Sequence, residues 1–374
     1  MLKKGIFTAI KLFSGTFPMK KSALVLALGL LASSQTLSAT ESSSSYAWQQ
    51  FQSLLTVTKE MGARVAGTKQ ENEMAQWMSK EMSAMGYEVK SLPFKYRAKN
   101  GKVESQNLVV DIKGSSPEII VVGAHYDSTG EKAGSLGILD NGSGMVALMA
   151  LAHELKGKKL PYSVRLIAFG AEENGLNGSK AYVNRSDNPL KNVVTMINLD
   201  TIIGGDKLYV HSPLTKPYNC NYVKSSKFES SSEIREALRS VSTELYGENA
   251  HLLHQPFPGY PEGETGSWSD HAPFACNGIK TAYLEATNFE INGKSGNDGY
   301  SQVTDKTFWT CFDADTIGAC DRKEETHWGS IWHTKFDHPD YLLPRFSKRL
   351  QSQLDQNVNV LSKFVLTADK WIKE

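Results

Sequence analysis

VVGAHYDSTG at 121–130, GILDNGSGMVALMALAHEL at 137–155 and RLIAFGAEENGLNGS at 165–179 all fall in the stretch from Val121 to Ser179. The run Ile119-Ile120-Val121-Val122 is apolar and β-branched, the pattern of a strand buried on both faces. His125 and Asp127 follow at its C-terminal end. Asp140-Asn141-Gly142-Ser143-Gly144 is turn chemistry that opens a helix, and Met145, Leu148, Met149, Ala152 and Leu155 then recur at helical spacing. Val164 to Phe169 reads as a second strand with Glu172-Glu173 beyond it. Val193 to Leu199 reads as a third, ending at Asp200. Strands alternating with helices predict an α/β fold, a three-layer α/β/α sandwich around a mixed, mainly parallel sheet. In such sheets ligands gather at the carboxyl ends of the strands, so three strands deliver acidic and imidazole groups to one edge.

Carboxylate oxygen and neutral imidazole nitrogen suit zinc. Two neighbouring ions need a bridging carboxylate and separate ligands for each. A second glutamate beside a ligand can act as a base, and the Glu172-Glu173 pair offers that division. Each element alone has a plainer explanation. An HxD is common, an EE pair is usually solvated, Asp140 alone would be a helix cap, and Asp200 a turn residue. Their order, each at a strand end, favours the metal site.

These motifs resemble the cocatalytic-zinc aminopeptidases of the bacterial leucyl aminopeptidase type, metallopeptidase family twenty-eight. That family shows HxD, D-N/D-x-S-G, EE followed by G-x-x-G-S, a strand ending in Asp, and a late H-T. Here they are His125-Tyr126-Asp127, Asp140 to Gly144, Glu172-Glu173 with Gly175 to Ser179, Asn198-Leu199-Asp200, and His333-Thr334. One departure is Leu139, where the family usually has a second aspartate that is not a ligand. The stretches from Ile197 to Ser212, Leu284 to Phe289 and Gly296 to Gln302, with Trp332-His333 and the spacing from Asp337 to Pro344-Arg345, look like its periplasmic isozyme-conversion subgroup.

The resemblance implies a zinc-dependent exopeptidase taking one residue from the N-terminus of peptides or proteins. It implies two Zn2+ ions bridged by Asp140, with His125 and Asp200 completing one and Glu173 and His333 the other. Glu172 is then the catalytic base, and Asp127 accepts from the free nitrogen of His125. The subgroup implies a preference for basic N-terminal residues, with Glu285 as the substrate-binding candidate at the end of a strand from Thr281 to Leu284. Glu262, Glu264 and Asp298 are further candidates. A carboxypeptidase and a glutaminyl cyclase are the alternatives on this fold. A cyclase would show a depleted second-metal set, and a non-catalytic relative would lack several ligands.

Residues 1–39 read as a targeting segment. Met19-Lys20-Lys21 precedes an apolar run from Ala23 to Ala32, too short for a permanent membrane span, and Leu37-Ser38-Ala39 is a cleavage-like site. An uncleaved anchor is the alternative. A periplasmic or secreted zinc peptidase domain from Tyr46 to Glu374 is expected. Helices are expected at Tyr46–Met61, at 70–85 with a stripe of Met74, Trp77, Met78, Met82 and Met85, and at Glu233–Tyr246. Asn249 to Trp268 reads as a loop over the site. His251, His254 and His271 read as packing residues, and Ser269 to Phe274 as pocket wall rather than metal ligand. A net charge of +1 implies no nucleic-acid partner. Four cysteines in an exported chain suggest disulfides with three possible pairings. Cys311 and Cys320 bracket a short acidic loop and are paired, leaving Cys220 with Cys276. A zinc-thiolate site is the runner-up, without CxxC spacing to support it.

Overall fold

The computed structural model describes residues 44–99, 101–130, 134–223 and 227–372; the targeting segment read at 1–39 lies outside them. From Ser44 to Glu374 the chain forms one unit by its internal contacts. In chain order the elements are α1 (Tyr46–Met61), α2 (Lys69–Ala84), β1 (Lys90–Ala98), β2 (Gly101–Ile112), β3 (Ser116–His125), α3 (Gly142–Leu155), β4 (Tyr162–Phe169), α4 (Asn177–Val183), β5 (Val193–Leu199), β6 (Lys207–Pro213), α5 (Glu233–Tyr246), β7 (Glu264–Thr265), α6 (His271–Ala275), β8 (Lys280–Thr287), β9 (Phe312–Asp313), β10 (Gly318–Ala319) and α7 (Pro339–Leu366).

The main sheet has eight strands in the order β1-β2-β4-β3-β5-β8-β6-β7. Its centre, β4-β3-β5-β8, is parallel, and the pairs β1-β2, β2-β4 and β6-β8 are antiparallel. The run at 119–122 therefore sits in the middle of the sheet, and its alternate side chains face opposite ways. Ile120, Val122 and Ala124 join a large core with α1, α2, α3, α5 and α7, while Val121 joins a smaller core with α4 and α6. Helices thus cover both faces, as a three-layer sandwich requires. Each fully buried valine or isoleucine contributes roughly 1.5–3 kcal/mol of transfer free energy.

Local signals set the helix ends. Ser45 caps α1 by accepting the Trp48 N–H at 3.1 Å. Thr68 caps α2, accepting the Glu71 N–H at 3.4 Å, and Gly86 follows that helix with φ +90°, the left-handed stop that glycine adopts without a Cβ penalty. Met74, Met78, Met82 and Met85 are buried in the large core as expected, with Trp77 packed at its margin. Two disulfides are present, Cys311–Cys320 and Cys220–Cys276.

Candidate metal centre

Every donor read from the sequence arrives at the C-terminal edge of the parallel strands. His125 is the last residue of β3, Glu172 and Glu173 follow β4 by three and four residues, and Asp200 directly follows β5. Asp140 precedes α3, and His333 comes from the loop before α7. The Asp140 carboxylate lies between the two imidazoles. Its Oδ1 is 3.4 Å from His125 Nε2 and its Oδ2 is 3.0 Å from His333 Nε2. His125 Nε2 is also 3.3 Å from Asp200 Oδ1, and His333 Nε2 is 3.2 Å from Glu173 Oε2. Two donor clusters result, His125-Glu172-Asp200 and Asp140-Glu173-His333, each with one ligand atom per residue within 4.8 Å of the others.

The electrostatics fit a site short of positive charge. Burial would depress the His125 imidazole, but Glu172, Asp200, Asp127 and Asp140 hold its pKa well above the ordinary value. Hydrogen bonds to Asp140 and Glu173 raise His333 to about 11. Burial pushes Glu172 well above the usual carboxylate range against the pull of His125, and burial and Asp140 lift Glu173 to about 7. Asp140 goes the other way, because His125 and His333 outweigh its burial. Glu173 Oε1 is buried without a hydrogen-bond partner. Such an orphaned acceptor is costly and is what a cation at this position would satisfy.

Asp127 does more than the sequence suggested. The expected contact to the free ring nitrogen is long: His125 Nδ1 is 3.6 Å from the Asp127 carboxylate and 3.2 Å from its backbone carbonyl. The carboxylate instead accepts two backbone N–H groups, from Glu172 at 2.9 Å and Glu173 at 3.1 Å. An ionised acceptor favours such donors, so the HxD and EE motifs are fastened to each other.

Several other groups that hold the site were not singled out from sequence. Asp337 accepts the Leu139 and Asp140 N–H groups at 2.7 and 3.1 Å. Arg64 is fully buried and donates to the carbonyls of Tyr126, Leu136 and Gly137 at 2.7–2.9 Å. Glu71 accepts from Gly67, Ser105 and Ala171, tying α2 to the turn before Glu172. Asn141 accepts from Gly144 and Thr201 and donates to Leu199, stapling the start of α3 to the end of β5. Ala171, Thr201 and His333 take φ of 54°, 49° and 56°. These left-handed conformations are unusual for such residues and persist where surrounding contacts impose them.

The residues read as pocket wall act more directly. Ser269 Oγ donates to Asp200 Oδ2 at 2.7 Å, but none of Ser269 to Phe274 lines the cavity; Ser267 and Trp268 of the preceding loop do. The three histidines read as packing residues are buried packing groups. His251 faces Ser242 and Asn357, His254 the carbonyls of Gln255 and Glu264, and His271 that of Gly266. Glu285 does not end its strand: β8 continues to Thr287, and Glu285 lies inside it at 5% exposure with His211 Nε2 of β6 at 3.0 Å. The polar residue after an apolar run looked like a terminus, but the neighbouring strand supplies it with a buried partner. It still lines the cavity, as does Asp298, whereas Glu264 is engaged by Thr215 and Glu262 is exposed outside it.

The sequence profile described as Peptidase family M28 matches residues 107–356. The chain belongs to peptidase family M28. It is 29% identical over 260 residues to the alkaline phosphatase isozyme conversion protein of Escherichia coli K12, covering 64% of this chain and 71% of that one. It is 35% identical over 187 residues to an aminopeptidase of Bacillus subtilis, covering 48% of this chain and 35% of the other, so the match spans about a third of that relative. The fold matches that of a solved zinc aminopeptidase from Bacillus subtilis with a TM-score of 0.58 at 18% identity, over 88% of this chain and 95% of that one.

Proposed function

We propose that the chain is a zinc-dependent aminopeptidase that hydrolyses the N-terminal residue of peptides or proteins. The observation that carries this is the Asp140 carboxylate, with one oxygen turned to each of two histidines on opposite sides. By this reading two zinc ions would be held here, one by Asp140, His125 and Asp200 and the other by Asp140, Glu173 and His333. Zinc there would supply Lewis acidity toward a carbonyl and acidify water at neutral pH.

The protein's own groups do the rest. Glu172, buried in the cluster with His125 and Asp200, takes the proton of the attacking water and returns it to the leaving amine. Burial raises its proton affinity toward that of a working base. Asp127 orients Glu172 and Glu173 through their backbone, and Ser269 fixes Asp200. The carboxylates not occupied by metal give the substrate's α-ammonium an electrostatic partner. Basic N-terminal residues are the favoured class, with Glu285 at the cavity wall as the side-chain partner.

Export to the periplasm or beyond is supported by the two disulfides, since these persist in oxidising compartments; no described helix is long and apolar enough to cross a membrane. Exported protein should show no free thiol when denatured.

The test uses three peptides with purified protein. One has a free N-terminus and a blocked C-terminus, one the reverse, and one begins with glutamine. Hydrolysis of the first alone, abolished by prolonged chelation and restored by zinc, is expected. Cleavage of the second would make the chain a carboxypeptidase. Cyclisation of the third without hydrolysis would make it a glutaminyl cyclase.

A further inference from the structure

The cavity over the two donor clusters has a volume of about 510 Å³. Six carboxylates line it: Asp140, Glu172, Glu173, Asp200, Glu285 and Asp298. Among the described residues one Lys or Arg side chain joins them, Lys180 of α4. A lysine on the wall of an acidic cavity would ordinarily be paired with one of its acids. Lys180 makes no ion pair among the described residues. Its ammonium lies 4.5 Å over the Tyr222 ring and donates to the Gly175 carbonyl at 2.9 Å.

That support holds the charge without neutralising it. A ring face and one carbonyl leave N–H donors free, since an ammonium has three. Tyr222 is itself braced. Its carbonyl accepts from Asn184 at 2.9 Å, and its segment is tied to α6 by the Cys220–Cys276 disulfide. Asp270 and Glu172 are the carboxylates whose field reaches the ammonium, which places it on the Glu172 side of the cavity. A peptide's C-terminal carboxylate would meet repulsion from the six wall carboxylates, and the two wall imidazoles, His125 and His333, are engaged with those acids, so Lys180 is the group able to receive it. A cavity of this size encloses a small ligand, and in a dipeptide the carboxylate lies one residue beyond the scissile bond, roughly 3.3–3.6 Å of extended chain.

We propose that Lys180 binds the C-terminal carboxylate of very short substrates, so that the enzyme favours di- and tripeptides with a free carboxyl terminus. This rests on the aminopeptidase reading above and narrows its substrate class. A backbone carbonyl of a longer peptide could also approach Lys180, but it would be contacted equally whether the terminus were acid or amide.

The experiment compares leucyl-alanine with leucyl-alanine amide on the metal-loaded enzyme, for wild type, Lys180→Met and Lys180→Glu. The readout is the acid-to-amide ratio of kcat/KM. A partly exposed charge-assisted contact predicts a ratio of roughly three to ten in wild type, carried by KM. The ratio should fall to about one or below in Lys180→Met, invert in Lys180→Glu, and shrink with added salt. An unchanged ratio in Lys180→Met, or equal loss on both substrates, would overturn the assignment. Wild type that prefers the amide would also overturn it while leaving the aminopeptidase reading intact. Wild type that cleaves neither these nor the corresponding arginyl pair would overturn both.

Discussion

The carboxylate of Asp127 receives the backbone N–H of Glu172 at 2.9 Å. The residue two after the first histidine therefore sets the position of the proposed base, 45 residues later in the chain. Asp127→Asn keeps the size but turns an N–H₂ toward one of the two donors. Metal affinity or kcat/KM should fall about 10–100-fold, the usual effect of removing a residue that orients metal ligands. Circular dichroism should be unchanged. Competition with a chromophoric chelator measures the metal term, and full affinity together with full activity would remove Asp127 from this role.

The two adjacent glutamates should separate by assay. Glu172→Gln is expected to keep metal content and fold while losing roughly three orders of magnitude in kcat, within the range for an essential base. Glu173→Gln should weaken one metal site, with activity recovering as zinc is raised. Glu172 also lies within ligand distance of His125 and Asp200, so metal analysis of both variants decides between base and ligand. Metal lost from the Glu172 variant and retained by the Glu173 variant would reverse the roles.

The donor set could be read from sequence because each member sits in a short motif at the end of an apolar run. Strand periodicity alone then places it on the sheet edge. The bounds of α1 and α5 were equally plain, since a cap or first acidic turn and a glycine frame a helical apolar pattern. Arg64 falls in none of the motifs above. Its partners are the carbonyls at 126, 136 and 137, and a contact of side chain to distant backbone leaves no mark in residue type. Asp337 is similar: it was noticed as spacing, and its function of holding two N–H groups belongs to tertiary structure. Glu71 lies unremarked in the helix expected at 70–85. Its buried contacts to Ser105 and Ala171 depend on how α2 lands on the sheet.

Glu325 provides a stability test away from the metal centre. Its carboxylate accepts the N–H groups of Thr310, Cys311, His327 and Trp328, at 2.7–3.1 Å. Burial would raise its pKa, but these backbone donors bring it down to about 2 from 4.5. A depressed carboxylate contributes stability that is full above the unfolded value and disappears as pH falls through the folded one. Glu325→Gln should therefore lower Tm at pH 7 by a few degrees, with the gap to wild type closing between about pH 4.5 and pH 2. Thermal melts across that range measure it; a gap independent of pH would mean the carboxylate's charge contributes nothing.

Specificity should depend on Glu285. It lies at the cavity wall with His211 behind it, and burial together with Asp200 raises its pKa to about 8. Burial holds His211 down at about 3, so that imidazole brings no fixed positive charge against the carboxylate. A guanidinium entering the cavity would favour the ionised carboxylate and could meet it bidentately. Arginyl substrates should then exceed leucyl ones in kcat/KM. The ratio should rise with pH, because a carboxyl with a raised pKa is a better cation partner once it ionises. Glu285→Gln should lose arginine selectively, by about tenfold or more for a buried charge-assisted contact. The measurement is kcat/KM on arginyl and leucyl aminoacyl-fluorophores, wild type against variant, across pH. Equal loss on both would assign Glu285 to the α-ammonium instead. A wild-type preference for leucine would end the basic-pocket reading and leave a general aminopeptidase whose side-chain subsite is set by the aromatic wall of Trp268, Phe289 and Tyr300.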